Sequence, residues 1–174
     1  MIERARSLAP VELLRLGIVS LVGLGIIGTS VELLFIGHWG SAGQAIVWPA
    51  LAALAIGTLA VARFASPRAI SVARVIAVVV VGVALVGIWM HVQENLTAGP
   101  LDRKYAATWD SLPALQQWWL AATGGVGPAP ILAPGVLLQL GLGLLLATAR
   151  HPVTAARPRG ADDSMTAVAA EVRR

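Results

Sequence analysis

Four side chains that could do chemistry lie near the same end of long apolar runs. Glu32 lies inside the first run, His38 and His91 end the first and third runs, and Glu94 follows His91 by three residues. An ionisable group within an apolar span is costly in lipid and is therefore a functional-site hypothesis. Imidazole and carboxylate groups are ligands of zinc, copper and other divalent ions. One hypothesis for these four residues is therefore a site for a divalent metal ion.

Two other interpretations of the same residues stay open. His38 and His91, contributed by two different helices, match the ligand pair of a bis-histidine haem. Alternatively, both histidines are interfacial polar residues, and Glu32 forms a structural hydrogen bond or extends its carboxylate toward water. The expected cofactor is accordingly a metal ion, a haem or none.

One further polar side chain, Gln139, lies in the middle of the last apolar run. An amide at this depth can form a hydrogen bond to a neighbouring helix. The preferred interpretation is a simple helix–helix contact, and a polar spot near the Pro134-Gly135 pair is the alternative.

The segment from Gly23 to Gly28 matches the pattern G-x-G-x-x-G of dinucleotide-binding loops. That fingerprint requires a strand before it and an acidic residue about twenty positions later. Here the glycines lie in the middle of an apolar span. They are predicted, with Gly17, Gly141 and Gly143, to let helices approach closely.

Catalytic motifs are absent from the sequence. It contains no zinc-protease H-E-x-x-H, no P-loop, no Ser-His-Asp spacing and no cysteine. Disulfides, thiolate metal sites and cysteine nucleophiles are therefore excluded, and the sequence does not favour an enzyme. The Asn95-Leu96-Thr97 tripeptide matches a glycosylation acceptor. We discount it because the alanine- and arginine-rich, cysteine-free chain is typical of a bacterial protein.

The elements that must position these residues are membrane spans. The 174-residue chain is 57% hydrophobic and 13% charged, whereas about 25% of residues are charged in ordinary soluble domains. Four runs have roughly the ~20 apolar residues that cross a bilayer. The predicted fold is an all-α integral membrane protein with four transmembrane helices in an up-down bundle, with spans at about 14–37, 45–64, 70–91 and 129–149.

Charge and tryptophan patterns predict the orientation of these spans. Eleven of the thirteen basic residues fall on one side, and only Arg103 and Lys104 fall on the other. The positive-inside rule then places both termini in the cytoplasm. All six tryptophans map to the opposite, outer side, as an interfacial aromatic belt would. The basic residues flank spans and do not form a patch with aromatic residues, so nucleic acid is not an expected partner.

Two segments lie outside the predicted spans. Residues 92–128 form an outer segment between spans three and four. The chain is predicted to divide into a four-helix membrane domain, residues 1–151, and a cytoplasmic tail, residues 152–174. In the outer segment, apolar residues recur at three- and four-residue intervals, which predicts one apolar stripe on an amphipathic helix that lies on the bilayer or covers the bundle. That stripe comprises Trp109, Leu112, Leu115, Trp118 and Trp119.

The predicted function is that of a small multi-pass protein of the bacterial inner membrane. The main hypothesis is a non-catalytic accessory or interaction subunit of a membrane complex, with the lipid bilayer and a membrane-protein partner or a second copy as its contacts. The first alternative is a metal- or haem-binding membrane protein that uses the outer Glu/His cluster. The second is a small transporter or channel, which the scarcity of polar residues in the spans disfavours.

Overall fold

The computed structural model describes residues 10–64, 66–149 and 151, and across these residues the chain is helical and contains no strand. Residues 1–9 and the predicted tail at 152–174 lie outside the described residues. The helices are α1 (Pro10–Phe35), α2 (Ala42–Ala45), α3 (Val47–Phe64), α4 (Pro67–Ala98), α5 (Ala114–Ala122) and α6 (Leu132–Thr148). Two 3-10 turns, Gly99–Leu101 and Trp109–Ser111, lie between α4 and α5.

Helix α1 begins at Pro10, four residues before the predicted span. The helix ends in a Schellman motif, in which the amide of His38 donates to the carbonyl of Leu33 (3.0 Å) and that of Gly37 donates to Leu34 (3.2 Å). Gly37 has a φ of +63°, which glycine adopts without steric cost.

Ser66 and Pro67 lie at the start of α4, after the predicted span at 45–64. The Ser66 hydroxyl accepts a hydrogen bond from the amide of Ala69 (3.2 Å) and caps α4, with Pro67 in the first turn. The 32 residues of α4 correspond to about 48 Å at 1.5 Å per residue. The helix therefore continues seven residues past the predicted end at 91, to Ala98, and carries the chain beyond the length of a single span.

Helix α6 lies against three other helices. It contacts α1 and α3 and packs most extensively against α4, while α3 also packs against α1 and α4. The centre of this assembly is apolar, with Leu54, Ile70, Val80 and Leu144 almost completely buried. Burial of these side chains against one another holds the four longer helices together.

The glycines predicted to allow close approach fall into two groups. A Cβ at Gly141 would lie 2.9 Å from Val81 Cγ2 of α4, and one at Gly143 would lie 2.8 Å from Val22 Cγ2 of α1. Gly25 similarly faces Leu140 without room for a side chain. These three residues confirm the packing interpretation of the glycine pattern.

The remaining glycines of that prediction do not pack against a helix. A side chain at Gly17, Gly23 or Gly28 would meet nothing within 4 Å. For these three the prediction of close helix approach is wrong within the monomer, because the positions point to the outside of α1.

Among the residues that the structure describes, three helical stretches are long and apolar enough to cross a membrane: Pro10–Phe35, Ala42–Phe64 and Pro67–Leu101. A shorter apolar helix, Leu132–Thr148, lies beside them. The prediction of an all-helical protein with membrane-length apolar helices is therefore confirmed.

Candidate functional site

Glu32 lies on an exposed face of α1, three residues before the helix ends at Phe35. Three residues of helix span about 4.5 Å. A glutamate side chain can extend over that distance to reach the headgroup region. The position accordingly supports the interpretation that this carboxylate reaches the interface.

His38 follows the Schellman motif and packs beside a pair of tryptophans. Its carbonyl oxygen accepts a hydrogen bond from Nε1 of Trp48 (2.9 Å). The Trp48 ring lies 6.3 Å from that of Trp39, in a tilted arrangement. These contacts hold the α1–α3 connection against the start of α3, so the backbone of His38 has a structural role.

His91 connects α4 to the segment that leads into α6. Its Nδ1 lies 2.9 Å from the carbonyl oxygen of Pro130. Since a carbonyl can only accept, Nδ1 is the donor in this hydrogen bond. Glu94, one turn further along α4, is exposed.

The described residues do not show the hypothesised four-ligand metal site, which stays a prediction. Within residues 10–64, 66–149 and 151, no three histidine, aspartate or glutamate side chains form a group that could hold a metal ion. Glu32 belongs to α1 and His38 to the turn after it, whereas His91 and Glu94 both belong to α4. The haem pair of His38 and His91 stays a prediction, with His91 already held by Pro130.

Its position in the sequence suggested that Gln139 lies between helices, but the structure places it elsewhere. Its side chain is exposed on the outside of α6, and none of the described residues forms a hydrogen bond with it. The neighbouring residue Leu140 is the one that points inward, against Gly25 of α1. The expected helix–helix contact within the monomer is therefore wrong, because the amide lies one position away from the packed face.

The residue that organises the outer segment is Asn95, which is completely buried. Its Nδ2 donates to the carbonyl oxygens of Ala121 (3.1 Å) and Ala129 (3.0 Å), and its Oδ1 accepts from the amide of Ala129 (2.8 Å). The amide thus satisfies a carbonyl in the last turn of α5 and fixes the chain that returns toward α6. A buried asparagine with these partners cannot accept a glycan in the folded protein.

Gly127 makes this arrangement possible. It has a φ of +78°, and a Cβ there would lie 2.6 Å from the Cα of Asn95 and would also overlap its Oδ1. The chain therefore passes directly over the asparagine, at a distance that excludes any side chain.

A second hydrophobic core surrounds this asparagine, separate from the core between the long helices. It is formed by Val92, Trp109, Ala121 and Val126. The side-chain amide of Gln117 supports it by donating to the carbonyl oxygen of Trp109 (2.8 Å). We call residues 92–131 the cap, because they form a packed unit on the end of α4.

Within the cap, the residues of the predicted apolar stripe fall into a buried set and an exposed set. Trp109 belongs to a 3-10 turn and is 5% exposed, whereas Leu115 and Trp119 of α5 are 83% and 68% exposed. Pro113, which precedes α5, separates the two sets because it cannot continue a helix from the preceding turn. The prediction of a single apolar stripe on one amphipathic helix is therefore wrong.

The outward set forms one side of α5. Leu115, Trp118 and Trp119 are spaced by three and four residues and lie on one side of that helix, which we call the α5 outer face. Trp118 stacks on Trp89 of α4, with ring centroids 5.2 Å apart. This contact anchors the α5 outer face to the long helix beneath it.

At the opposite end of the molecule, two arginines close α6. Arg15 of α1 donates to the carbonyl oxygen of Ala149 (3.0 Å), and Arg74 of α4 donates to that of Thr148. These carbonyls lack partners within the helix, and positive charge is favourable at a helix C-terminus. Burial, followed by the charges of Arg15 and Arg74, lowers the pKa of His151 from its ordinary value of 6.5.

Asn95 and the two arginines were not identified from the sequence as structural contacts. Their partners are 26 to 134 residues away in the chain, so no local pattern marks them. The one available signal was a polar Asn95 followed by the Gly99-Pro100 turn.

Comparison with models of protein families, with curated protein sequences and with solved structures returned no match.

Proposed function

We propose that this chain is a non-catalytic accessory subunit of a complex in the bacterial inner membrane, and that it docks to its partner through the cap. The observation that carries the proposal is the contrast between the two sides of α5. One side is locked into a packed core by Asn95 and Trp109. On the α5 outer face, Leu115 and Trp119 are left open to the surroundings.

Such a surface has the properties of an interaction site. Large aromatic side chains dominate binding energies at protein interfaces, and a rigid surface loses little conformational entropy when it binds. Both conditions are met by Trp119, which is 68% exposed on a helix fixed at its C-terminal end. The partner we propose is a second membrane protein whose outer surface lies at the same height.

The distribution of charged and aromatic side chains supports the membrane placement. Arg15 and Arg74 lie at one end of the long helices, and the paired tryptophans Trp39 and Trp48 lie at the other. Under the positive-inside rule, the arginine end is cytoplasmic and both termini lie there.

Helix α6 is proposed to cross the membrane with the three longer helices, giving four spans. Its 17 residues extend about 25 Å, near the lower limit of ~17 residues for a spanning helix. The arginines that bind its final carbonyls compensate for its length, since those carbonyls need no contact with water.

The alternative functions have weaker support. A transporter would be expected to direct Glu32 and Gln139 into one continuous polar cavity. Both side chains are instead exposed on the outside of their helices. A metal centre would require the convergence of ligands that residues 10–64, 66–149 and 151 do not show.

The proposal is tested by extracting the protein from its native membrane in polymer-bounded lipid discs and measuring the mass of the complex. We expect a complex with a second protein at fixed stoichiometry. Trp119→Ser should reduce its yield, since truncating a central interface tryptophan typically weakens binding by ~2 kcal/mol or more. Trp39→Ser is the matched control, because Trp39 is 55% exposed at the same end but outside the cap.

Two results would contradict the proposal. One is a wild-type chain that contains only itself and lipid, in which case the α5 outer face serves only to contact the bilayer. The other is an equal loss of the complex in the Trp119 and Trp39 variants, which would indicate a general effect of removing an interfacial tryptophan.

A further inference from the structure

We propose that two copies of this chain associate through α6, with Gln139 of one copy hydrogen-bonded to Gln139 of the other. The inference rests on the membrane placement proposed above, but not on docking through the cap. It begins from Gln139, a side-chain amide in the middle of α6 with which none of the described residues forms a hydrogen bond.

The surface around Gln139 has the spacing of a helix-pairing stripe. Five residues follow one another at intervals of three, four, three and four along the outside of α6, and we call this stripe the α6 outer face. Apolar residues at alternating three- and four-residue intervals are the pattern of a seam between two helices, as in coiled coils. The stripe comprises Leu132, Gly135, Gln139, Leu142 and Leu146.

Each residue type in this stripe suits a contact between two helices. Leu142 and Leu146 are 50% and 61% exposed and would interlock below the amide. At Gly135, one turn on the other side, a side chain would meet nothing within 4 Å. A glycine facing outward lets a second backbone approach closely, which favours helix pairing in lipid.

The chemistry of Gln139 favours a second copy of this chain as the occupant. Lipid tails can cover leucine and glycine, but they offer no partner to an amide. Two copies inserted in the same direction carry parallel α6 helices related by a two-fold axis along the membrane normal. Both Gln139 side chains then lie at the same depth.

An amide is both donor and acceptor, so each Gln139 can donate an N–H to the carbonyl oxygen of the other. The pair is self-complementary and involves no net charge. A single buried amide in an otherwise apolar seam also fixes the register of the two helices.

The chain offers a direct test because it contains no cysteine. Single substitutions Gly135→Cys and Leu142→Cys, oxidised in native membranes, are expected to give a disulfide-linked product of twice the chain mass. Leu24→Cys and Val79→Cys are the matched controls. Leu24 and Val79 are 66% and 58% exposed but lie on α1 and α4.

The role of the amide is tested separately, by energy transfer between labelled copies in liposomes. Gln139→Leu keeps the volume and removes the hydrogen bonds, and it should weaken dimerisation by about 3- to 30-fold, the range expected for interhelical hydrogen bonds in membranes. Trp119→Ser should leave energy transfer unchanged, which separates this inference from docking through the cap.

Three results would overturn the inference. The first is cross-linking at the control positions that equals cross-linking on the α6 outer face, which indicates random collision. The second is a cross-linked product containing a different protein. The third is a dimer of unchanged affinity in Gln139→Leu.

Discussion

Replacing Asn95 by alanine should release the cap while leaving the long helices assembled. The substitution removes three hydrogen bonds, two donated to the carbonyls of Ala121 and Ala129 and one accepted from the amide of Ala129. Each buried backbone group left without a partner costs ~1–3 kcal/mol. The lower limit for three groups lowers the free energy of opening the cap by about 3 kcal/mol, or more than 100-fold in the opening equilibrium.

Hydrogen exchange measures this opening directly, with the protein in lipid nanodiscs. The informative probe is the amide of Gly125, which donates to the carbonyl oxygen of Leu120 (2.8 Å) at the end of α5 and does not touch Asn95. Its exchange should accelerate by about 100-fold in Asn95→Ala. The amides of α3 should be unaffected, because that helix belongs to the separate core between the long helices.

Thr97→Ala is the matched control for this experiment. Thr97 lies two residues further along α4, is exposed, and its hydroxyl donates to the carbonyl of Gln93. Both substitutions destroy the Asn95-Leu96-Thr97 acceptor pattern, but only one removes the buried amide. Wild-type exchange at Gly125 in Asn95→Ala would refute our account of the cap, as would an equal acceleration in Thr97→Ala.

Three further substitutions follow from the same contacts. Measured by hydrogen exchange, Gly127→Ala should destabilise the cap more than Gly124→Ala. Both residues have positive φ, so either alanine costs ~1–2 kcal/mol of stability, but only at Gly127 would the new Cβ meet another chain segment within 4 Å. Equal effects of the two substitutions would contradict this overlap. Gly141→Ala should lower the free energy of unfolding in detergent by ~1–3 kcal/mol through overpacking, whereas Gly17→Ala, in open space, should leave it unchanged or raise it. The pKa of His151 is lowered in the folded chain, so the unfolded chain binds a proton at this ring more readily. The contribution of His151 to the free energy of unfolding is therefore complete above pH 6.5 and is lost as the pH falls below 6.5 through the folded pKa. Its ring should titrate below 6.5 by NMR, and His151→Gln should remove that part of the pH dependence; a ring that titrates at or above 6.5 would contradict this.

The spans were predictable because their signal is local. A run of about twenty apolar residues identifies a spanning helix without knowledge of its neighbours. The end of α4 was misplaced for the same reason. Polarity rises at Gln93 and Glu94, and the apolar run stops there, but the backbone stays helical to Ala98. Contacts with the cap, made far along the chain, support that extension.

The position of Gln139 shows where the sequence stops being sufficient. Its three- and four-residue spacing was visible, but the pattern cannot tell which face of an entirely apolar helix packs inward. Only the contacts of Leu140 and Gly141 with α1 and α4 settle the direction. The functional hypotheses for Glu32, His38 and His91 had the same weakness, since proximity between helices is a property of the fold.

In the membrane placement proposed above, the closure of α6 by two arginines has a consequence for how this helix enters the membrane. A short helix with unsatisfied carbonyls is a poor candidate for stable insertion by itself. Arg15 and Arg74 precede α6 in the chain, and translation proceeds from the N-terminus. Both arginines are therefore already synthesised when α6 leaves the ribosome. The hydrogen-bond donors for its last carbonyls are thus present before the helix is inserted.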